Sequence, residues 1–183
     1  MEKFINNVVK SGKKWYLIYK FDQFKAVRMQ HFIGTYECKA DAKGRIMMPV
    51  ALKGQLAASL KNGFVLKRAV FNKCLELYPM QEWEALMQKV NSLNRFNKKN
   101  NDFIRRFTAG VKLVEMDASG RLLIPKDLIH YATIQKEVVI SSAVSILEIW
   151  NKDHYEQAID EATLDFGDLA EEVMGDQDDS NLS

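Results

Sequence analysis

Asp41-Ala42-Lys43-Gly44-Arg45-Ile46-Met47-Met48-Pro49 returns 76 residues later as Asp117-Ala118-Ser119-Gly120-Arg121-Leu122-Leu123-Ile124-Pro125. Both stretches read Asp-Ala-x-Gly-Arg, three apolar residues and Pro, with Leu52 and Leu128 three residues beyond each Pro. The correspondence continues downstream. Leu75-Glu76-Leu77-Tyr78 answers Leu147-Glu148-Ile149-Trp150, and Trp83 stands to Tyr78 as Tyr155 stands to Trp150. So many matched residue types in one order mark a tandem duplication of one small unit.

Around each quoted stretch the pattern reads as strand, turn, strand and helix. Ile33 to Lys39 alternates apolar and polar residues as a half-buried strand does. Asp41-Ala42-Lys43-Gly44 is a type I turn by composition: Asp at the first position accepts from turn amides, and Gly at the fourth takes φ > 0 without steric cost. Arg45 to Met48 begins the return strand. Pro49 suits the first position of a helix, where its missing N–H costs nothing, and the helix is expected over Val50 to Leu60. Strands follow at Phe64 to Arg68 and Cys74 to Tyr78, and Pro79 opens an amphipathic helix from Gln81 to about Leu93. Its Trp83, Leu86, Met87 and Val90 stripe reads as core or subunit packing.

The second unit is expected to follow the same order. Strands fall near Gly110 to Met116 and at Arg121 to Ile124, and a Pro125 helix runs to about Ala132. Two more strands, Glu137 to Ile140 and Ile146 to Trp150, precede a helix from Lys152 to about Thr163. Between the units, Asn94 to Asn101 reads as a polar loop and Asp102 to Phe107 as a helix. The stretch after Gly167 is acidic and short of apolar residues, and its end is expected to be disordered. The fold expected is α+β: two units too small for separate cores, packed as one pseudo-two-fold domain with their hairpins interleaved in one sheet. In segments this gives 1–28 as an extension without a counterpart in either repeat, 32–79 as the first repeat and 80–107 as a helical connection. The second repeat is 108–155, and 156–183 is a helix with an acidic tail. Within the extension, Trp15 to Phe24 suits a strand or short helix. Met29 stands just before the first unit and is expected to be the true start, which an intact mass of the native protein tests.

Hydrophobic residues make up 47% of the 183 and charged ones 27%, as in an ordinary globular protein. No apolar run approaches the length of a membrane span. Two cysteines, Cys38 and Cys74, are too few for a disulfide framework. A reduced, cytoplasmic protein is the expectation. The net charge of +2 hides a division: 160–183 carries nine acids and no base, whereas 1–33 carries seven bases against two acids. A basic body with an acidic tail suits a polyanion binder whose tail masks its own surface, or simply a tail that keeps the protein soluble.

No Gly-rich phosphate loop, nucleophile elbow or Cys/His pairing is present, so nothing argues for an enzyme or a cofactor. His31, His130 and His154 are scattered, without partners at ligand spacing, so no metal is expected. A short basic hairpin has about the width of a two-stranded ribbon entering a DNA major groove. Lys43 and Arg45 occupy the first turn. Taken alone, these residues leave two roles open: a turn-fixing ion pair with Asp41, or contact with guanine and phosphate. Asp41, Gly44, Asp117 and Gly120 read as structural, since a carboxylate is repelled by phosphate. Arg121 is assigned to DNA, although orienting the second hairpin is its other role. The second turn, with Ser119 in place of Lys43, is expected to contribute less. Arg95, Lys98, Lys99, Arg105 and Arg106 read as a solvated helical face, with subunit or phosphate contact as the alternative. Lys39, Arg105 and Arg106 are the candidate phosphate contacts.

The paired Asp-x-x-x-Arg motifs, together with Leu77-Tyr78-Pro79, Glu82-Trp83 and Arg106, resemble the MraZ family of bacterial transcriptional regulators. That family is related to the AbrB and MazE type of swapped-hairpin DNA-binding proteins. The resemblance covers roughly Phe32 to Tyr155. It implies a tandem-duplicated AbrB-like double-ψ or swapped-hairpin β barrel with short helices. It also implies a ring-shaped homo-oligomer that binds double-stranded DNA at direct repeats upstream of its own gene and represses the division and cell-wall gene cluster. The resemblance tips Lys43 and Arg45 toward DNA. The competing reading is an antitoxin-like or scaffold protein that uses the fold for protein–protein binding, with the acidic tail as the binding element.

Overall fold

The computed structural model describes residues 31–163 and 166–175. The expectations for 1–28, for Met29 as the start and for the last eight residues lie outside the described residues. The first unit supplies β1 (Thr35–Lys39), β2 (Arg45–Met47), α1 (Val50–Leu56), β3 (Phe64–Arg68), β4 (Leu75–Pro79) and α2 (Met80–Asn91). A connecting helix, α3 (Lys98–Phe107), leads to β5 (Lys112–Val114), β6 (Arg121–Leu123) and α4 (Lys126–Tyr131). Then come β7 (Glu137–Ala143), β8 (Ile146–Asn151), α5 (Lys152–Thr163) and α6 (Phe166–Gly175).

The strands are antiparallel and form two sheets, one of six strands in the order β1-β7-β8-β4-β3-β5 and one of two, β2-β6. Read from either end, the larger order places corresponding strands of the two units at corresponding positions. Every peripheral pairing crosses between units: β1 with β7, β5 with β3, β2 with β6. The two units therefore exchange strands. The expectation of one sheet holding both hairpins is corrected. After a single bridge, Ala40 to Ile46, β2 leaves β1 and pairs with β6 instead, and among the described residues no ladder closes into a barrel. Burial is the physical reason: pairing β2 with β6 sets Ile46 opposite Leu122, and both side chains are fully buried.

Burial alternates along the exchanged strands. Ile46, Met48, Leu122 and Ile124 are buried, as are Leu52 and Leu128 from the helices and Leu75, Leu77, Leu147 and Ile149 from the central strands. These are the matched positions of the repeat, so one core is filled twice by the same pattern. The other face of the large sheet carries a polar row at the centre. Lys67, 1% exposed, donates to Glu76 Oε2 at 2.7 Å, and the Tyr78 hydroxyl donates to the same oxygen at 2.7 Å. Glu76 lies directly opposite Glu148 across β4–β8. Glu148 accepts from Trp150 Nε1 at 3.0 Å, and burial, then the Glu76 charge, raises its carboxyl above the usual range. The second unit has Ser141 in the place of Lys67, so among the described residues the lysine is the one cation compensating this pair.

Several boundaries differ from the sequence expectation. All three prolines sit one residue before their helices, with ψ near 142–144°, so each occupies the cap rather than the first helical turn. At the position matching Pro79, Asn151 Oδ1 accepts from His154 N at 3.3 Å. Helix α1 ends at Leu56 instead of Leu60. The polar loop expected to reach Asn101 ends at Asn97, whose side chain accepts from Lys99 N at 2.9 Å and starts α3. Helix α6 was not expected; Phe166, Leu169 and Val173 at helical spacing explain it.

Candidate nucleic-acid interface

The two turns are built alike to the last backbone bond. Gly44 N donates to Asp41 O at 2.9 Å and Asp41 N to Arg45 O at 2.9 Å; Gly120 and Asp117 make the same two bonds at 2.8 Å. Asp41 Oδ1 accepts from Lys43 N at 2.9 Å and Arg45 N at 3.0 Å, while Oδ2 accepts from Arg45 Nε at 2.7 Å. Asp117 repeats this with Ser119 N at 2.8 Å, Arg121 N at 3.0 Å and Arg121 Nε at 2.9 Å. Each carboxylate thus satisfies turn amides and holds its arginine by one edge. The Arg45 amide, followed by its side chain, lowers the Asp41 carboxyl to about 2. Asp117 is lowered for the same reasons, the Arg121 amide first.

Cross-pairing places both turns on one surface. In the β2–β6 ladder Arg45 faces Leu123, Ile46 faces Leu122 and Met47 faces Arg121. Met48 N donates to Gly120 O and Ile124 N to Gly44 O, each at 3.0 Å, so each turn is tied to the end of the other unit's strand. Because Ile46 and Leu122 point into the core, Arg45, Met47, Arg121 and Leu123 share the outward face. Met47 is 51% exposed and Leu123 53%. The arginine backbones are offset by two residues, about 7 Å along the strands and about 5 Å across them. The result is one narrow strip with a guanidinium at each end.

Its surroundings are less symmetric. Gly44 lies against the Ile129 side chain of α4, whereas Gly120 lies against Lys53 of α1, the position that answers Ile129 in the repeat. Lys53 Nζ also reaches Met47 Sδ at 3.7 Å. Lys43 and Lys126 border one shallow depression with His130 beside the first turn. The second turn, with Ser119 where the first has Lys43, therefore has a cation beside it from another helix. Sequence reasoning missed Lys53 and Lys126. The repeat alignment marks position 53 as the counterpart of 129, but only strand exchange puts each helix under the other unit's glycine.

The other candidates lie elsewhere. Lys39 is exposed on β1, 3.9 Å from Glu137. Arg105 and Arg106 are on α3, where Arg105 Nη1 pairs with Asp102 at 3.2 Å; they border a groove with Arg68 and Tyr131 and not the β2–β6 strip. Burial pushes the Cys38 thiol up to about 11 and Cys74 higher still, so neither is activated as a nucleophile.

Comparison with known proteins agrees on one family. Residues 31–106 and 107–176 each match the family model described as "MraZ protein, putative antitoxin-like". A relative in Christiangramia forsetii, named transcriptional regulator MraZ, is 65% identical over 155 residues, which is 85% of this chain and 100% of that protein. The protein of the same name in Flavobacterium psychrophilum is 66% identical over 82% of this chain and 96% of its own length. A more distant namesake in Cytophaga hutchinsonii is 36% identical over 80% of this chain and 96% of its own length.

Proposed function

This chain belongs to the MraZ family, and we propose that it is a transcriptional regulator that binds double-stranded DNA through the β2–β6 strip. The observation that carries the reading is the strip itself: Arg45 and Arg121 stand at its two ends on fixed turns, with Lys43, Lys53 and Lys126 around it. Asp41 and Asp117 have a positioning role. By gripping one edge of each guanidinium they hold the other edge outward, so less side-chain freedom is lost on contact. An arginine bidentate to guanine discriminates by about 1–3 kcal/mol, and the lysines reach phosphate without sequence preference.

One strip with two arginines gives weak binding. Repetition supplies the rest: a ring-shaped homo-oligomer presents one strip per protomer to successive direct repeats about a helical turn apart, and multivalency multiplies the affinity. The DNA is the direct-repeat region upstream of the protein's own gene, and the effect is repression of the division and cell-wall gene cluster. The protein works in the cytoplasm, associated with the nucleoid, and without catalytic activity. The exchange of β2 and β6 between units supports classing the fold with the AbrB-type swapped hairpins.

The test is fluorescence anisotropy with DNA from upstream of the gene and with scrambled DNA, at two salt concentrations. Wild type is expected to prefer the native sequence and to weaken steeply with salt. Arg45→Ala should lose the preference, roughly a 10- to 100-fold effect, with an unchanged oligomer mass by light scattering. Equal binding of both DNAs by wild type moves the function to protein partners. A variant that unfolds or changes mass makes Arg45 structural.

A further inference from the structure

Away from the β2–β6 strip, α3 builds a second cationic surface. Lys99, Asp102, Phe103 and Arg106 recur at intervals of three and four and so share one face of the helix. With Arg68 at the end of β3 they wall a groove of about 1020 Å³. That volume stands at the upper end of the range for small-molecule sites, about 300–1,000 Å³. Four cations border the groove, Arg68, Lys99, Arg105 and Arg106, against the one carboxylate of Asp102, which Arg105 holds at 3.2 Å. Four against one leaves three positive charges without a partner among the described residues.

Arg68 is the least satisfied of the four. Its guanidinium carbon lies 4.8 Å from the centre of the Tyr131 ring, and its Nε is buried with no hydrogen-bond partner among the described residues. A buried guanidinium N–H without an acceptor is unfavourable, and an anionic oxygen that reaches it relieves the deficit. A single phosphomonoester carries at most about two negative charges, so a diphosphate matches the surplus better. Beside these charges stands a flat apolar surface. Phe103 stacks on Phe107 with centroids 5.4 Å apart and 21° between the planes, yet stays 46% exposed. An exposed ring of this kind takes a nucleobase onto its face whatever the base, because every base has a π-face.

We propose that the α3 groove is a binding site for a nucleoside diphosphate, with the phosphates on Arg68, Lys99 and Arg106 and the base on Phe103. Charge and shape both enter: the cations take the phosphates, and the ring beside them selects a ligand with a planar head. The site rests on α3 and β3 alone, and it stands whether or not the β2–β6 strip binds DNA.

The test is isothermal titration calorimetry of ADP into the full-length chain, with adenosine and pyrophosphate as the two halves of the probe. ADP should saturate at one molecule per chain, and each half should bind about tenfold or more weakly. Absence of saturable ADP binding overturns the proposal, and so does either half binding as tightly as ADP. Arg106→Gln, at an exposed position, should weaken ADP about tenfold or more, since a hydrogen bond to a charged group is lost. Phe103→Leu keeps apolar bulk and should weaken ADP about tenfold, whereas Phe103→Tyr keeps the ring and should bind as wild type does. Recovery with tyrosine requires a folded groove, so it separates lost stacking from lost fold. Equal ADP affinity for the leucine and tyrosine variants overturns the proposal, and so does an unchanged affinity with Arg106→Gln. A DNA duplex at saturation should leave ADP bound. If the duplex displaces it, ADP and DNA compete for the same cations and the groove is not a separate site.

Discussion

The turn at 41–44 and the turn at 117–120 share their backbone bonds, their positive-φ glycines and their aspartate–arginine grip. They differ in what lies against them. The first has Lys43 at its tip and the apolar Ile129 under its glycine; the second has Ser119 at its tip and Lys53 under its glycine. The backbone is set by local hydrogen bonding, which the duplicated residues dictate twice. The surroundings come from the opposite unit, where the copies have diverged. A charge difference that looks large along the chain is therefore reduced in space, because the poorer turn borrows a cation from the other unit's helix.

Substitutions that treat the turns as a pair break or sharpen this comparison. The largest effect belongs to the shared floor of the strip. Ile46→Ala and Leu122→Ala should each cost about 3 kcal/mol in urea unfolding, since both side chains are fully buried and face each other. Costs differing by more than about 1 kcal/mol would mean the core is less symmetric than its ladder. The glycines come next. Alanine at either position meets a positive φ, unfavourable by about 1–2 kcal/mol. Gly44→Ala must also displace Ile129, whereas Gly120→Ala displaces only the flexible end of Lys53. Unfolding should therefore rank Gly44→Ala as the more damaging, and the reverse order would mean that Lys53 is held rigidly.

Smaller effects test the electrostatics. Lys43→Gln and Lys53→Gln should each reduce the salt slope of DNA binding by about one phosphate equivalent. If Lys53→Gln leaves the slope unchanged, the second turn is as poor in charge as its sequence. The smallest signal is pH. A depressed carboxylate contributes stability above its ordinary range, and that contribution is lost as pH falls through the folded value. For Asp41 the window runs from its usual 3.8 down to about 2. Carboxyl NMR titration should place both aspartates below the usual range. Arg45→Ala should raise Asp41 only part of the way, because the residue 45 amide still donates. A full return would make the side chain, rather than the amide, the main cause.

Legibility in the sequence tracked how local the cause was. Asp and Gly at the ends of a four-residue turn need no distant partner, so the turns and the sign of φ at Gly44 and Gly120 follow from residue type. Arg45–Met48 and Arg121–Ile124 are legible as strands, but three apolar residues in a row do not show which side chains face inward; the structure buries Ile46, Met48, Leu122 and Ile124 and exposes Met47 and Leu123. Two helix signals were present but unread: the Asn97 cap and the Phe166, Leu169, Val173 spacing inside an acidic stretch, where charge masked periodicity. Lys53 had no local signal. Its place beside Gly120 depends on a strand pairing formed with the other half of the chain.

By itself, then, the sequence determined the duplication, the turns and the family, because each is written in near neighbours or in a repeated word. Tertiary structure alone decided that β2 pairs with β6 rather than with β1. A strand's hydrogen-bonding edge is the same whatever its residues, so the partner is chosen by which pairing buries Ile46 and Leu122 together. That choice brings both arginines onto one strip and sets each unit's helix beneath the other unit's turn.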